Sequence, residues 1–508
     1  MNSSLDGKWG SGESPIPDGV AQSMESRSVS RWNRFRQCGN ALGALSLALS
    51  LTGCGGSDSG SGTKPVVTSP SSPVTPAPTP ASASCSLSVR QDWALSVLQE
   101  WYLFPDLLDT GVRKSDFTDL DEYLDALTAP ARAAGKDRSF TYLTSIEEED
   151  AYYSSGSTAG FGILLAWDPY GALYLREAYE TAPGYKAGMD RGTVIEAIGT
   201  STSNLRNIRD MTYDELVAAL SPSGPGDSRV FRFMTADHET KTATVVAADY
   251  EIEPLSPRYG ARILPGREGP IGYINLRSFI MPAEEQLRVA IADFAAQGIT
   301  NIIIDVRYNG GGLIRTAHLL SDLLNAENTG KIFASLELRA SKAAQNETYY
   351  FSNPDGAIQA MKIAFIGSDY SASASELIMN AQIPYSGMNA ALIGDNTYGK
   401  PVGQYAFDLE ECDDRLRVIT FRTVNADGDA DYFSGMASVM PRTCRAYDDA
   451  NFMLGDPGES SIQVASDWIN GAYCGSITAG TQTTKSVRPR TLHAARPTIA
   501  QIETPGLF

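Results

Sequence analysis

The strongest constraint on the fold is an alternation of apolar strands and helices between residues 253 and 480. Asn301 to Val306 is apolar enough for a fully buried strand, and a helical pattern follows it from Leu313 to Leu324. Such alternation is typical of a parallel sheet with helices on its faces. The other elements predicted here are Pro270 to Leu276, Ala283 to Gln297, Lys362 to Ile366 and Ala390 to Ile393. We therefore predict an α/β core with a largely parallel sheet.

The segments around this core differ in composition. Residues 55–84 are almost all Gly, Ser, Thr, Pro and Ala, which predicts a tether without a core. Residues 85–155 are predicted to be helical, with Asp119 to Leu127 as one short helix. Residues 156–252 are predicted to form short strands with one or two helices, among them Thr212 to Leu220. Residues 481–508 are rich in Thr, Arg and Pro, which predicts disorder.

The first 54 residues are typical of a targeting signal. A basic region lies between Arg27 and Arg36, and the apolar run from Ala41 to Leu51 is too short to span a membrane as a mature helix. It ends in Leu51-Thr52-Gly53-Cys54, which resembles a bacterial lipobox and implies lipidation of Cys54. An ordinary signal peptide with a chance cysteine is the alternative, and Met24 is an alternative start.

Charge and histidine content exclude several classes of function. The net charge is −19 at pH 7, and an acidic surface disfavours nucleic acid and anionic membranes as partners. The histidines His238, His318 and His493 lie far apart, and no cluster of His, Cys and carboxylates has the spacing of metal ligands. We therefore predict no metal and no cofactor, and the shortage of histidine argues against a Ser-His-Asp triad.

Four cysteines are candidates for disulfides once Cys54 carries the lipid. An even number in an oxidising compartment favours pairing, and four cysteines allow three pairings. We expect Cys412 to pair with Cys444, which closes the shorter loop, and Cys85 to pair with Cys474, which ties the ends of the chain together. Four free buried thiols are the alternative.

A serine-rich turn follows the predicted strand Lys362 to Ile366. The turn, Ser371 to Glu376, precedes an amphipathic stretch, Glu376 to Gln382, so it brings a serine to the start of a helix. Lys400 follows the next strand. Serine is a weak nucleophile that needs an adjacent base, and a lysine can be that base where burial favours its neutral form. The arrangement favours a serine nucleophile activated by a lysine.

A glycine-rich loop, Asp305 to Gly312, directly follows the buried strand Asn301 to Val306. Its glycines leave backbone N–H groups open, and such groups can hold a developing oxyanion. A plain tight turn is the alternative. The loop opens a predicted helix, where N–H groups already point outward, and this favours the functional interpretation.

Together, Asp305 to Gly311, Ser371 to Glu376 and Thr397 to Lys400 resemble, in this order, the motifs of the C-terminal processing peptidases, also called tail-specific proteases. The resemblance covers about residues 86–470. It implies an α+β multidomain fold: an N-terminal helical segment, a PDZ-like β-rich domain, and an α/β peptidase core of the tail-specific protease (crotonase-like) type over residues 253–480.

The same resemblance implies roles for individual residues. Ser373 would be the nucleophile, Lys400 the general base, and Gln404 the residue that orients Lys400. Ser371 and Ser375 are the structural alternatives to Ser373. The oxyanion donors would be the backbone N–H groups of residues in two loops: Ala374, and either Gly310 or Gly311.

Residues 156–252 resemble a PDZ domain of the circularly permuted bacterial kind. In that family, the turn before the first strand offers N–H groups to the C-terminal carboxylate of a peptide, which then adds as a strand. The matching turn is Gly160-Phe161-Gly162-Ile163. An unrelated small β-rich domain is the alternative.

A rival motif, Gly394 to Lys400, fits the phosphate loop G-x-x-x-x-G-K. That loop needs a following Ser or Thr to bind Mg²⁺, and Pro401 stands there instead.

Taken together, these motifs lead us to interpret the chain as a lipid-anchored serine endopeptidase of the bacterial cell envelope that cleaves protein C-terminal tails. Since Gly55 and no Asp follows Cys54, we expect anchoring in the outer membrane, facing the periplasm.

Two non-enzymatic hypotheses compete with this one. The first is a PDZ-bearing lipoprotein that binds peptide tails or a partner protease without cutting. The second is the same fold binding an apolar small ligand. Ser373, Lys400 and Gln404 occurring together argue against both. An adaptor lipoprotein is a candidate partner. The sequence leaves open the substrate, the oligomeric state, and whether the PDZ-like domain gates activity.

Overall fold

The structure is a computed structural model, and it describes residues 85–168, 170–478, 492–494 and 496–508. The predicted signal peptide, lipobox and tether in residues 1–84 therefore lie outside the described residues, as does much of the predicted disordered tail.

The N-terminal part is mainly helical, as predicted. Its elements are α1 (Leu87–Trp101), α2 (Leu120–Ala133), β1 (Tyr142–Ser145) and α3 (Ile146–Ser155). Short polar residues start two of the helices. The Asp119 carboxylate accepts a hydrogen bond from Asp121 N at the start of α2, and Ser145 Oγ accepts one from Glu148 N at the start of α3.

The β-rich part is built from short antiparallel strands. Its elements are β2 (Ser157–Gly160), β3 (Ile163–Trp167), β4 (Leu173–Ala178), α4 (Pro183–Lys186), β5 (Val194–Gly199), β6 (Arg206–Asn207), α5 (Tyr213–Leu220), β7 (Ser228–Met234), β8 (Thr240–Val246) and β9 (Ala248–Glu251). Strands β3-β4-β5-β7-β8 form one sheet in that order, β6 pairs with β5, and β2 pairs with β9. Strand β3 is therefore at an edge of its sheet.

The remaining elements make up the α/β core. They are β10 (Ala261–Leu264), β11 (Ile271–Asn275), α6 (Ala283–Ala296), β12 (Asn301–Asp305), α7 (Ile314–Leu324), β13 (Ile332–Leu338), β14 (Glu347–Tyr350), β15 (Lys362–Gly367), α8 (Ala374–Ser386), β16 (Ala390–Gly394), β17 (Val402–Leu409), β18 (Asp414–Val424), β19 (Thr443–Arg445), α9 (Ser460–Ile469) and α10 (Ile499–Glu503). Short 3₁₀ turns connect several of these elements.

The predicted parallel sheet is present. Its strand order is β10-β11-β12-β15-β16-β19, and every neighbouring pair is parallel except β10 with β11. Helices cover both faces, so the side chains of Ile302 and Ile303, which point to opposite faces, are both fully buried. A second, antiparallel sheet, β1-β18-β13-β14 with β17 on β18, joins the N-terminal part to the core.

Helix α8 corrects one local prediction. The stretch from Glu376 to Gln382 was expected to be amphipathic, but every residue from Ala374 to Gln382 is buried. The helix lies inside the core, so its polar residues bind partners rather than water. Glu376 and Asn380 are two of these buried polar residues.

Buried ion pairs join the β-rich part to the core. Arg277 Nε lies 2.7 Å from Glu177 Oε1, and both side chains are nearly inaccessible. Arg191, also buried, lies 2.6 Å from Asp448. Removing one partner of a buried pair leaves an uncompensated charge, at a cost of about 3–5 kcal/mol. These pairs therefore hold the β-rich part against the core.

The four candidate cysteines are paired, but the predicted pairing is wrong. The disulfides are Cys85–Cys412 and Cys444–Cys474. Strand β19 carries Cys444 at the edge of the parallel sheet, and Cys474 follows α9, which packs on that sheet. Cys444 and Cys474 are only 30 positions apart, closer than Cys412 and Cys444, so the predicted pair did not close the shortest loop. The link between Cys85 and Cys412 depends on tertiary packing.

The predicted disorder of residues 481–508 is wrong for the described part of that tail. Ile499, Leu507 and Phe508 are almost completely buried, and Ile499–Glu503 forms α10. Disorder was predicted from the mostly polar composition of the tail, although a few apolar residues lie near its end. None of the helices in the described ranges is both long and apolar enough to cross a membrane.

Candidate active site

Three loops meet at one edge of the parallel sheet. Strands β12, β15 and β16 are parallel neighbours, so the loops that follow them emerge side by side. These loops carry Gly310, Ser373 and Lys400, in that order. Ligands of open α/β sheets bind at the carboxyl ends of the strands. The topology thus brings the three predicted motifs together, although they lie far apart in the sequence.

Ser373 has an unusual backbone. It precedes α8 with φ 52° and ψ −113°, a conformation that residues other than glycine rarely adopt. Strained residues between a strand and a helix are found at functional sites, and a nucleophilic serine on such a turn has its hydroxyl exposed. This strain sets Ser373 apart from its serine neighbours.

The neighbouring serines have structural contacts. Ser371 Oγ donates to Val306 O at 2.7 Å, and Ser375 Oγ donates to Asn309 O at 2.9 Å. Both side chains are completely buried, whereas Ser373 is partly exposed. Ser371 and Ser375 therefore fasten the turn to the glycine-rich loop, and Ser373 is the serine that faces the cavity.

Glu376 connects the serine turn with the lysine loop. Its carboxylate accepts hydrogen bonds from Gly399 N at 2.6 Å and from Lys400 N at 2.7 Å. It also accepts one from Ser373 N at 3.2 Å and one from Thr397 Oγ1. Burial raises the pKa of Glu376 to about 6, against the effect of these hydrogen bonds. Glu376 thus fixes the backbone of both candidate residues relative to each other.

Lys400 is held by two neighbours. Its Nζ donates to Gln404 Oε1 at 2.8 Å, and Gln404 Nε2 donates to Phe140 O. The Phe140 ring centroid lies 5.1 Å from Nζ. Burial lowers the pKa of Lys400 below its usual value, because desolvation disfavours the charged amine. The nearby Glu503 carboxylate opposes this shift.

Ser373 and Lys400 line the same cavity, whose volume is about 190 Å³. Within the described residues no direct hydrogen bond joins their side chains, and the partner of Lys400 Nζ is Gln404. Catalytic hydrogen bonds are often long before substrate binds. The structure therefore places Ser373 and Lys400 on the wall of one cavity.

The predicted oxyanion donors differ in their contacts. Among the described residues, the N–H of Ala374 donates no hydrogen bond, as expected in the first turn of a helix. Gly310 N donates to Glu503 O at 3.0 Å, whereas Gly311 N donates to Asn309 Oδ1 at 2.9 Å. The N–H of Gly311 is bound inside its own loop, whereas the partner of Gly310 lies in the distant segment 496–508. Ala374 and Gly310 are therefore the better candidates.

Gly311 has a steric role instead. Its φ is 129°, and a Cβ there would lie 2.8 Å from Ser373 Cβ. A side chain at this position would push the serine turn away from the glycine-rich loop. The glycine therefore permits the close approach of the two loops.

The charged residues at the start of the glycine-rich loop form buried ion pairs. Arg307 is almost fully buried and donates to Asp305 and to both carboxylate oxygens of Glu459, the latter at 2.9 Å each. These contacts anchor the start of the loop to the first residue before α9. In the described part of the chain no group of three or more His, Cys, Asp or Glu side chains could hold a metal ion.

The predicted peptide-binding turn, Gly160-Phe161-Gly162-Ile163, lies at the edge strand β3. Ile163 N donates to Phe508 O at 3.1 Å, and Phe508 N donates to Ile163 O at 3.0 Å. Phe161 is completely buried, and a Cβ on Gly160 would lie 3.1 Å from the Phe508 carbonyl carbon. The turn therefore contacts a segment of the same chain.

Sequence reasoning assigned no role to Glu376 or Glu503, which both contact the candidate site. Glu376 ends the serine-rich motif and is the one carboxylate of helix α8, which was the available signal. Glu503 lines the cavity of Ser373 and Lys400, and it lies in the tail that was predicted to be disordered. No local pattern indicates that this tail returns to the core.

Comparison with known proteins points to one family. Residues 270–435 match the profile of Peptidase family S41. The chain is 25% identical over 268 residues to the chloroplastic carboxyl-terminal-processing peptidase 2 of Arabidopsis thaliana, an alignment that covers 51% of this chain and 48% of the relative. It is also 25% identical over 329 residues to a carboxyl-terminal-processing protease of Synechocystis sp., covering 63% of this chain and 68% of the relative.

The chain thus spans about half of the first of these relatives and about two thirds of the second. Among solved structures, it resembles a Bacteroides fragilis protein assigned to the S41 proteases, with a TM-score of 0.57 and 18% identity. That likeness covers 75% of this chain and 97% of the solved chain, and it shows a shared fold.

Proposed function

We propose that this chain, which contains a peptidase family S41 domain over residues 270–435, is a serine endopeptidase that cleaves proteins near their C-terminal tails. The observation that carries the proposal is the cavity shared by Ser373 and Lys400. One of these residues has a strained backbone and the other a lowered pKa. Perturbed groups that converge in a cleft are typical of catalytic sites.

The chemistry follows from these positions. Neutral Lys400 takes the proton of Ser373 Oγ while that oxygen attacks the carbonyl carbon of the scissile bond. The N–H groups of Ala374 and Gly310 stabilise the oxyanion of the tetrahedral intermediate. Lys400 then gives the proton to the leaving amine, and an acyl-enzyme remains on Ser373. A water molecule, deprotonated by Lys400, hydrolyses this ester and restores the hydroxyl.

The β-rich part serves, in this proposal, as a PDZ-like domain that captures the substrate tail. The supporting observation is the edge strand β3, where Ile163 exchanges two backbone hydrogen bonds with Phe508. An exposed edge can accept an added strand, with main-chain hydrogen bonds giving affinity and pockets giving specificity. A tail bound there would extend toward the cavity of Ser373.

The proposed location is the bacterial cell envelope. Cys54 would carry the lipid, and the two disulfides are consistent with an oxidising compartment. Outer-membrane anchoring belongs to the same proposal and rests on the sequence around Cys54. An adaptor lipoprotein is the partner included in this proposal.

A digest of unfolded proteins tests the catalytic proposal. Purified wild type, Ser373→Ala and Lys400→Ala would be incubated with unfolded proteins, and their products would be identified by mass spectrometry. We expect both variants to lose nearly all turnover, because a positioned acid/base contributes about 10²–10⁴-fold and the nucleophile is indispensable. Gln404→Ala should be milder. Wild-type-like cleavage by Lys400→Ala would refute the dyad.

A chain that binds tails without cutting them is the second candidate. The occupied edge of β3 favours it, since that edge binds a peptide segment whatever the fate of the segment. In that case wild type and Ser373→Ala would bind the same peptides and neither would release products.

A further inference from the structure

The segment 496–508 links the candidate binding groove with the candidate catalytic cavity. At its far end, residues 506–508 add to the edge strand β3: Leu165 N donates to Gly506 O at 2.9 Å, and Ile163 and Phe508 exchange two hydrogen bonds of 3.0 and 3.1 Å. The pairing is antiparallel. The chain therefore occupies its own strand-addition site.

Side chains reinforce this pairing. Phe508 is 2% exposed and packs in the apolar core of the β-rich part with Phe161 and Phe231. Leu507 is equally buried and packs with Tyr179 and other residues from the opposite side. Burial of such apolar side chains stabilises the contact. The segment is thus bound as a ligand would be, by main-chain pairing and an apolar pocket.

The other end of the segment reaches the catalytic cavity. Glu503 lines that cavity beside Ser373 and Lys400, and its carbonyl oxygen accepts the hydrogen bond of Gly310 N. Tyr153 Oη donates to Glu503 Oε1 at 3.1 Å. A substrate carbonyl would need the same N–H group of Gly310. Substrate and the segment 496–508 are therefore mutually exclusive at this position.

The bound form of the segment is not suited to cleavage. Thr504 N donates to Ala500 O at 2.8 Å, so the Glu503–Thr504 peptide bond belongs to a helical turn rather than to an extended strand. The Glu503 carboxylate also raises the pKa of Lys400, against the effect of burial. A protonated amine cannot accept the serine proton, so this charge weakens the base.

We propose that residues 496–508 are a built-in ligand that fills the groove at β3 and the cavity at Ser373, and that substrate tails must displace it. This inference rests on the proposed peptidase function, although the binding itself does not require catalysis. Competition of this kind raises the apparent KM and leaves kcat unchanged, because the segment and the substrate exclude each other.

The first experiment compares wild type with Phe508→Ala and with a chain that ends at residue 495. Arg496→Ala is the matched control, since its 3.5 Å contact with Asp119 is at the surface. For a fluorogenic tail peptide we expect KM to fall at least ~10-fold in both tail variants, with kcat within about twofold and the control unchanged. Circular dichroism and thermal unfolding establish that each variant is folded.

The second experiment is independent of turnover. A labelled peptide of residues 497–508 is titrated, by fluorescence anisotropy, into the Ser373→Ala protein with and without its own segment 496–508. We expect binding to the shortened protein only, and at least ~10-fold weaker binding when the peptide carries Phe508→Ala. If no variant cleaves any peptide, this result still decides the inference while the peptidase proposal fails.

Three outcomes would overturn the inference. KM within about twofold of wild type in a folded Phe508→Ala variant would show that the segment does not compete. Equal binding of the peptide to the full and shortened proteins would show that the groove is free. Loss of residues 504–508 from wild type but not from Ser373→Ala, by intact mass, would make the segment a substrate rather than a resident ligand.

Discussion

The substitution Gln404→Glu tests the proposed base, because it places a negative charge beside Lys400 on a side chain of nearly the same shape. Gln404 Oε1 accepts a hydrogen bond from Lys400 Nζ at 2.8 Å. In Gln404→Glu a carboxylate would stand at that distance. Two unit charges 2.8 Å apart attract by about 6 kcal/mol at an effective dielectric constant of ~20, which corresponds to about four pKa units.

The effect will be smaller than this figure, because the new carboxylate is itself partly desolvated. We expect an upward shift of about two pKa units, which would lower the neutral fraction of Lys400 about 100-fold near neutral pH. Since a higher pH restores the neutral amine, the pH at which kcat/KM reaches half its plateau should move upward by the same amount.

Gln404→Met is the matched control, since it keeps the volume and removes both hydrogen bonds without adding a charge. The assay is kcat/KM for a fluorogenic tail peptide over about pH 6 to 10, with thermal unfolding of each variant. We expect Gln404→Met to lose activity without an upward shift. If Gln404→Glu stays within about threefold of Gln404→Met at every pH, the charge does not reach the base and the role of Lys400 is wrong.

The remaining predictions concern pH dependence and buried charges. Because burial lowers the pKa of Lys400, wild-type kcat/KM should rise with pH and reach half its plateau below 10.5; a pH-rate profile that falls over this range would contradict a lysine base. Glu376 has a folded-state pKa of about 6 against an ordinary 4.5, so its contribution to stability, present below pH 4.5, should be lost as the pH rises through 6. Urea unfolding should show this loss, about 2 kcal/mol, in wild type relative to Glu376→Gln, and parallel curves would refute it. Arg307→Met should cost about 3–5 kcal/mol in urea unfolding, since it leaves Asp305 and Glu459 buried without their partner; a loss under about 1 kcal/mol would contradict this.

The regular elements of the core could be predicted from local patterns. The strand expected at Asn301 to Val306 is Asn301–Asp305, and the helix expected at Ala283 to Gln297 is Ala283–Ala296. Long apolar runs and helical periodicity determine such elements without reference to distant residues. The serine-rich turn and Lys400 each follow a strand, and in the structure the ends of these parallel strands bring Ser373 and Lys400 to one cavity.

Features that depend on distant packing could not be predicted in this way. Cys412 pairs with Cys85 because the turn between β17 and β18 lies beside the start of α1, which neither sequence neighbourhood reveals. Glu376 has its role through hydrogen bonds to a loop about two dozen residues further on. The return of Phe508 to β3 depends on a pocket in another part of the chain.

The disulfide between Cys85 and Cys412 closes a covalent ring across 327 positions of sequence. Most of the chain, including the β-rich part and Ser373, lies inside this ring. A single backbone nick anywhere within it would leave both fragments joined through sulfur, and only a reductant would separate them. The protein can therefore be clipped in a surface loop by a neighbouring protease and still keep its parts on one molecule.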